Sequence, residues 1–283
     1  MATNIVNKSH LQASCSSKQS HSSKLSKPKL LITRPEPQAQ QLASQLNLAG
    51  YQTLCQPMFA YSAAANQSQL SQVLNTHQPS IIIFVSKAAV EWANKILPLS
   101  AWPTATTAIT VAVGSATLTA LHQLGIKQAI CPPQHDSEGM LALPELSQVT
   151  NKNILIVRGN GGRELLANEL VIRGANVRYF ESYYRQWHEF DPHQAQQWRS
   201  QGVTGIIVTS QALLESTWQL TQNGTHSEHN NNFWQNTCLW FVASTRIAQL
   251  AREYGLRHVI CTHGASDQAI ITTLNQLESI NDN

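Results

Sequence analysis

Beyond its first 29 residues the chain has almost no concentrated charge. Residues 1–29 hold five lysines and no acid, and the remaining 254 carry 14 basic against 16 acidic side chains. A nucleic-acid-binding surface needs a Lys/Arg cluster to neutralise phosphates, so no nucleic-acid partner is expected. No apolar run approaches the roughly 20 residues of a membrane-spanning helix, so no membrane partner is expected either. The five cysteines (Cys15, Cys55, Cys131, Cys238, Cys261) are odd in number and widely spaced, with no CxxC pair. They read as reduced structural thiols of a cytoplasmic protein. The eleven histidines lack metal-ligand spacing, and His226 and His229 sit in the polar run 222–232, which reads as a loop. Neither a GxGxxG fingerprint nor a Walker A loop is present, which argues against a nucleotide-dependent enzyme. No Ser-His-Asp order is legible, and no acid pair stands out. Chemistry with so few groups must depend mainly on holding a reactive substrate in one conformation.

What the chain does contain is a repeat. Leu30-Leu31-Ile32-Thr33-Arg34 returns as Ile154-Leu155-Ile156-Val157-Arg158. Ile82-Ile83-Phe84-Val85-Ser86 returns as Ile206-Ile207-Val208-Thr209-Ser210, both at an offset of 124 residues. A period this long marks a duplicated domain rather than a solenoid. Ahead of it, residues 1–28 are rich in Ser, Lys, Gln and His, too poor in apolar side chains to bury a core, and read as a disordered tail without a secretory h-region.

Within each repeat, short β-branched runs alternate with helical patterns, which predicts βα units and parallel sheets. Strands are expected at 30–33, 52–56, 81–85, 109–113 and 128–131, and again from Val177 to Gln186. Helices are expected at 36–49, 87–96, 116–124, 138–147, 163–173, 211–221, 245–254 and 266–277. In the first of these, Ala39, Leu42, Ala43, Leu46 and Ala49 make one apolar stripe that Gly50 ends. The fold class is α/β, with two doubly wound parallel-sheet lobes joined by a two-segment connector.

In open parallel sheets ligands bind at the carboxyl ends of strands, where helix N-termini expose N–H groups. The polar residues gather there. Eight donor-bearing turns follow: Thr33-Arg34, Ser86-Lys87, Gly114-Ser115-Ala116-Thr117, Ser137-Glu138-Gly139, Arg158 to Gly162, Ser210-Gln211, Ser244-Thr245-Arg246 and Ser266-Asp267. Ser and Thr at such turns are also ordinary helix caps. The string Arg158-Gly159-Asn160-Gly161-Gly162-Arg163-Glu164 is the most distinctive, a Gly-rich turn suited to phosphate or carboxylate.

In combination and in order, Thr33-Arg34-Pro35, the Ser86 turn, Val113 to Thr117, Ser137 to Leu141, Arg158 to Glu164, Glu181-Ser182-Tyr183, Val208-Thr209-Ser210 and Ser266-Asp267 resemble the uroporphyrinogen-III synthases, over about residues 29–278. The resemblance implies a two-lobed enzyme that cyclises hydroxymethylbilane, a linear tetrapyrrole with eight carboxylates. Water is lost and the last pyrrole ring is inverted, without metal or organic cofactor. It implies discontinuous lobes, 29–58 with 187–280 and 62–182, with 59–61 and 183–186 as connectors, whereas the repeat alone cuts near 151. It implies a catalytic role for Tyr183. Substrate contacts are implied for Thr33, Arg34, Ser86, Lys87, Gly114, Ser115, Thr117, Ser137, Arg158, Gly159, Gly161, Ser210, Gln211, Ser244 and Thr245. A monomer is expected, with transient hand-over of substrate from hydroxymethylbilane synthase. The alternative from another class is a non-catalytic two-lobed binding protein for a small polyanionic ligand. The segment 222–235 is a polar insertion without an assignable role.

Overall fold

A computed structural model describes residues 27–65, 67–103, 107–134, 137–161, 164–222 and 233–281. The tail through residue 26, with Cys15, lies outside the described residues. So do most of the 222–235 insertion, with His226 and His229, and positions 162 and 163 of the Gly-rich turn.

Two five-stranded sheets organise the chain. The first contains β1 (Lys29–Ile32), β2 (Thr53–Cys55), β8 (Val203–Val208), β9 (Leu239–Val242) and β10 (Val259–Cys261), all parallel, in the order β10-β9-β8-β1-β2. The second contains β3 (Phe59–Ala63), β4 (Ile81–Phe84), β5 (Ile109–Ala112), β6 (Asn153–Gly159) and β7 (Asn176–Trp187), in the order β3-β7-β6-β4-β5. Here only β3 runs antiparallel. The 124-residue repeat explains both orders. β1 and β2 correspond to β6 and β7, and β8 and β9 to β4 and β5, so each sheet takes two strands from each copy and sets them in the same sequence of neighbours.

Strand alternation turns each sheet into a wall between two cores. Leu31, Ile206, Val208, Trp240 and Val242 face one side of the first sheet, while Leu30, Ile32, Ile207 and Phe241 face the other. In the second sheet Ile82, Phe84, Leu155 and Val157 oppose Ile81, Ile83, Ile154 and Ile156 in the same manner. Both faces are apolar because helices cover both. On α1 (Gln38–Leu48) the predicted stripe, Ala39, Leu42, Ala43 and Leu46, is buried. On α3 (Lys87–Ile96), after α2 (Leu70–His77), it is Ala88, Ala89, Val90 and Ala93. α4 (Ser115–Gln123), α6 (Leu165–Ile172), α8 (Gln211–Gln222), α9 (Thr245–Glu253) and α10 (Asp267–Asn281) lie where helices are expected.

Three differences from expectation have local causes. The run 128–131 contributes a single bridge, Ile130 to Val111, because Pro132 and Pro133 follow and cannot donate to a ladder. The helix expected over 138–147 divides into α5 (Ser137–Leu141) and a 3-10 turn, Pro144–Leu146, as Pro144 has no N–H to continue it. α2 and α7 (Gln194–Ser200) were not anticipated; each is short, with two or three buried positions to mark it.

The chain passes between the sheets at two places. β3 and the end of β7 run antiparallel there, pairing Phe59 with Trp187, Ala60 with Gln186, Tyr61 with Arg185, Ser62 with Tyr184 and Ala63 with Tyr183.

Candidate functional site

A cavity of about 310 Å³ opens at the carboxyl ends of the second sheet's strands. Val85 and Ser86 follow β4, Val113 follows β5, and Arg158 and Gly159 end β6; Tyr179, Tyr183 and Arg185 come from β7. Ser137, Met140, Gly161 and Leu166 complete that side. Across from them stands Arg246, from α9 on the first sheet.

Tyr183 is the deepest polar group here, 1 % exposed. Three contacts fix its ring. Its hydroxyl is 3.2 Å from Oγ of Ser86, and that Oγ also accepts from the Ala89 N–H at 3.0 Å, capping α3. Its edge meets the Tyr61 ring at 5.0 Å between centroids, nearly perpendicular. Its ring packs against Gly159, where an added Cβ would lie 2.3 Å from Cε2 of Tyr183. Gly159 therefore serves as space for this tyrosine. The neighbouring turn is laced to β7: Asn160 N–H donates to the Tyr183 carbonyl at 3.1 Å, and Asn160 Oδ1 accepts from the Arg185 N–H at 2.7 Å. These two bonds carry β6 and β7 past the register shift at Arg158 and Gly159.

The aromatic contact extends outward through the connectors. Trp187 meets Phe59 at 5.0 Å, Phe59 meets Tyr61 at 5.3 Å, and Tyr61 meets Tyr183. Tilted and edge-on ring pairs of this kind contribute about 0.5–1.5 kcal/mol each beyond area burial. Burial, and then the neighbouring Tyr183, push the Tyr61 hydroxyl up to about 12, with Arg185 acting against them, so Tyr61 stays protonated at neutral pH.

Around the tyrosine the charge is positive. The Arg158 guanidinium lies 3.7 Å above the Tyr179 ring centroid, with its Nη2 3.6 Å from Glu181 Oε1. Its Nε and Nη1 are buried without a hydrogen-bond partner, and so is Nε of Arg185. Arg246 Nη1 donates to Gln211 Oε1 at 2.6 Å. Three guanidiniums and the hydroxyls of Ser86, Ser137, Tyr179 and Tyr183 line the space, a donor set whose chemistry suits anions such as carboxylates.

Of the residues singled out from the sequence, Ser86, Ser137, Arg158, Gly159, Gly161 and Tyr183 line this cavity. The others stand elsewhere. Thr33 Oγ1 donates to the Ile207 carbonyl at 2.8 Å within the first sheet. Arg34, 6 % exposed, pairs with Asp267 at 2.5 Å and also donates to the Ala265 carbonyl. Lys87 pairs with Glu91 at 3.3 Å on an exposed helix face. Gly114 precedes α4, with Ser115 exposed and Thr117 buried on that helix. Ser210 and Ser244 cap their helices by accepting from Leu213 and Ile247, and Thr245 is exposed beside Ser244. Gln211 lies behind Arg246 and donates to Glu215 at 2.7 Å. Sequence reasoning gave no site role to Arg185, Tyr179 or Tyr61, and reached Arg246 only as part of the Ser244-Thr245-Arg246 turn. Arg185 had a readable signal: two residues after Tyr183 on one strand, it shares its face.

Two mainly parallel sheets of repeated topology, joined by an antiparallel ribbon beside an arginine-lined cavity, define a two-lobed α/β protein. Residues 40–272 match the family model described as Uroporphyrinogen-III synthase HemD. The uroporphyrinogen-III synthase of Salmonella typhimurium is 35% identical over 250 residues, covering 87% of this chain and 99% of its own length. That of Escherichia coli is 33% identical over the same coverage. The chain belongs to the uroporphyrinogen-III synthase family. Its fold is like that of a mutant Thermus thermophilus uroporphyrinogen III synthase, with a TM-score of 0.62 at 14% identity over 89% of this chain and 99% of that one. The Helicobacter pylori uroporphyrinogen-III synthetase gives 0.54 at 14% identity over 88% and 99%. Among the described residues no helix is long and apolar enough to cross a membrane.

Proposed function

We propose that this protein is a uroporphyrinogen-III synthase, a hydro-lyase that closes hydroxymethylbilane to uroporphyrinogen III. The observation that carries the reading is the Tyr183 hydroxyl, buried against Ser86 in a cavity bordered by Arg158, Arg185 and Arg246. The substrate brings eight carboxylates and one hydroxymethyl group. Arginines account for the first requirement and a positioned phenol for the second.

The chemistry follows from those groups. The terminal pyrrole nitrogen pushes out the hydroxyl, the C–O bond breaks, and the oxygen takes a proton to leave as water. Tyr183 assists by donating a hydrogen bond or that proton, and Ser86 supports its oxygen as charge develops there. The electron-poor terminal carbon is then attacked by the substituted carbon of the last ring, giving a spiro centre. The bond from that spiro carbon to its original bridge then breaks, the ring's free carbon attacks the bridge, and loss of that carbon's proton restores the pyrrole with the ring inverted. The protein's part is to hold the chain folded so that attack at the substituted carbon outruns simple head-to-tail closure.

Residues 29–58 with 187–280 form one lobe in this reading and 62–182 the other, with 59–61 and 183–186 as a ribbon that lets the cleft open. The protein works as a cytoplasmic monomer and receives its unstable substrate from hydroxymethylbilane synthase. Incubation with freshly generated hydroxymethylbilane, followed by resolution of isomers I and III, tests the reaction. A III fraction no greater than in spontaneous closure would falsify it.

A further inference from the structure

We propose that Arg185 is a specificity-determining residue of this site, seating a carboxylate of the substrate ring that reacts beside Tyr183. The identity of the ligand rests on the proposed reaction; the seat itself rests on the geometry of Arg185.

Four observations converge. Tyr183 and Arg185 are two apart on β7, so their side chains leave the same face of the strand, and both line the cavity. The Arg185 backbone is fixed on both sides, by register with Tyr61 on β3 and by the N–H donated to Asn160 Oδ1 at 2.7 Å. Its guanidinium has no carboxylate partner within ion-pair distance among the described residues, whereas Arg34, Arg158 and Arg173 have Asp267, Glu181 and Glu169. Its guanidinium carbon lies 5.8 Å from the Phe59 ring centroid, and its Nε is buried with no hydrogen-bond acceptor.

Arg185 is half-buried: its Nε is enclosed without an acceptor, while the side chain borders the cavity with no counter-charge of its own. A fold holds such a group in place where a ligand supplies the missing acceptor. The ligand class follows from the fork: a carboxylate, which can take two parallel bonds from the cavity side of the planar guanidinium. Tyr183 fixes which carboxylate. An acetate or propionate arm on a pyrrole ring reaches only a few bonds from that ring, so an arm held by Arg185 brings its own ring to the Tyr183 hydroxyl. Arg158 stacks flat on Tyr179 and already leans on Glu181, so it offers a second, partly satisfied seat.

The experiment compares the full-length protein with Arg185→Gln and Arg185→Lys, and with Lys127→Gln on an exposed loop as the control for net charge. Three readouts are taken: melting temperature without ligand, Kd for the stable octacarboxylate uroporphyrin III, and steady-state KM and kcat with hydroxymethylbilane. Arg185→Gln is expected to melt at the same temperature as the parent or higher, since a half-buried cation without a counter-charge is removed. Its Kd and KM are expected to rise about tenfold or more, the weight of a lost charge-assisted bond. Arg185→Lys recovers part of both, and Lys127→Gln changes neither. Unchanged Kd and KM in Arg185→Gln overturn the proposal. So does a lowered melting temperature with no recovery in Arg185→Lys, which marks a structural role. If the parent binds uroporphyrin III in an Arg185-dependent way yet forms no excess of isomer III, the reaction reading fails and the seat stands. If isomer III forms and Arg185→Gln is kinetically silent, the seat fails and the reaction stands.

Discussion

The Tyr183 hydroxyl and the Ser86 Oγ lie 3.2 Å apart, and the same Oγ accepts the N–H of Ala89 at 3.0 Å. A serine hydroxyl has one proton and two acceptor positions. With one position taken by Ala89, Ser86 either accepts the Tyr183 proton or donates its own to the phenol oxygen. In the second state the Tyr183 proton is free to point into the cavity, and that is the state that serves a departing hydroxyl. Tyr183→Phe is therefore expected to lower kcat by about a hundredfold or more while KM moves little. Ser86→Ala should cost about 1 kcal/mol of stability through the lost cap. Loss of one neutral hydrogen bond should also lower its kcat about three- to tenfold. Full turnover by a folded Tyr183→Phe protein removes Tyr183 from the mechanism.

Gly159 supports Tyr183 by what it lacks. A methyl group there would overlap the Tyr183 ring, with 2.3 Å to Cε2 and 2.4 Å to Cζ. In Gly159→Ala the ring must shift, or β6 must move away from β7. Overpacking of this kind costs roughly 1–3 kcal/mol, and displacement of the hydroxyl from Ser86 should lower kcat more than KM. Gly202→Ala is the comparison, at φ +83 with nothing within 4 Å and remote from the cavity. It should lose about 1 kcal/mol from backbone strain alone and keep its kcat. Equal kinetics in the two variants would show that Gly159 matters only for folding.

Much of the architecture is readable in the sequence because periodicity is a core-facing signal. The stripe from Ala39 to Leu46 and the paired runs at Leu30 and Ile154 exist to bury apolar surface, and the structure buries them. The discontinuous sheet order is not local information. No pattern at Lys29 says that β1 will lie between β2 and β8, because that neighbour is 174 residues away in sequence. The site was legible only as a set of strand-end turns. Which turns converge depends on how each side chain is spent: Ser86 both caps a helix and meets Tyr183, whereas Ser210 caps a helix and does not line the cavity. Arg34 and Arg158 stand at equivalent places in the repeat and differ in the same way. The first is held by Asp267 and the second lines the cavity.

The Arg34 and Asp267 pair ties the C-terminal helix to the first strand-to-helix turn. Burial lowers the Arg34 pKa, and the Asp267 hydrogen bond and charge oppose that effect. Gln45 adds a second bond to Asp267, at 3.2 Å. Asp267→Asn leaves a buried guanidinium without its counter-charge and is expected to destabilise the protein by roughly 2–4 kcal/mol. Because the pair lies outside the cavity, kcat and KM of the folded fraction should stay at parental values. Denaturant unfolding beside steady-state kinetics checks both halves, and a raised KM with unchanged stability would reassign Arg34 to substrate binding.

His77, 6 % exposed, sets an acid limit on the second lobe. Its Nε2 meets the Ile154 carbonyl at 3.1 Å. Burial is the largest cause holding its pKa below the ordinary 6.5, and the charge of Arg178 adds to it, while backbone bonds to Ile154 and Asn176 act in the other direction. With the folded pKa lowered, the unfolded chain binds more protons than the folded one between the folded value and 6.5. Stability contributed by the neutral ring is thus fully present above about pH 6.5, and is lost as pH falls from there toward the folded pKa. Urea midpoints measured from pH 8 downward should be level at first and then decline below about 6.5. His77→Gln keeps a donor for Ile154 and removes the titration, so its decline should be shallower. If parent and variant decline with the same slope, the acid sensitivity belongs to other groups.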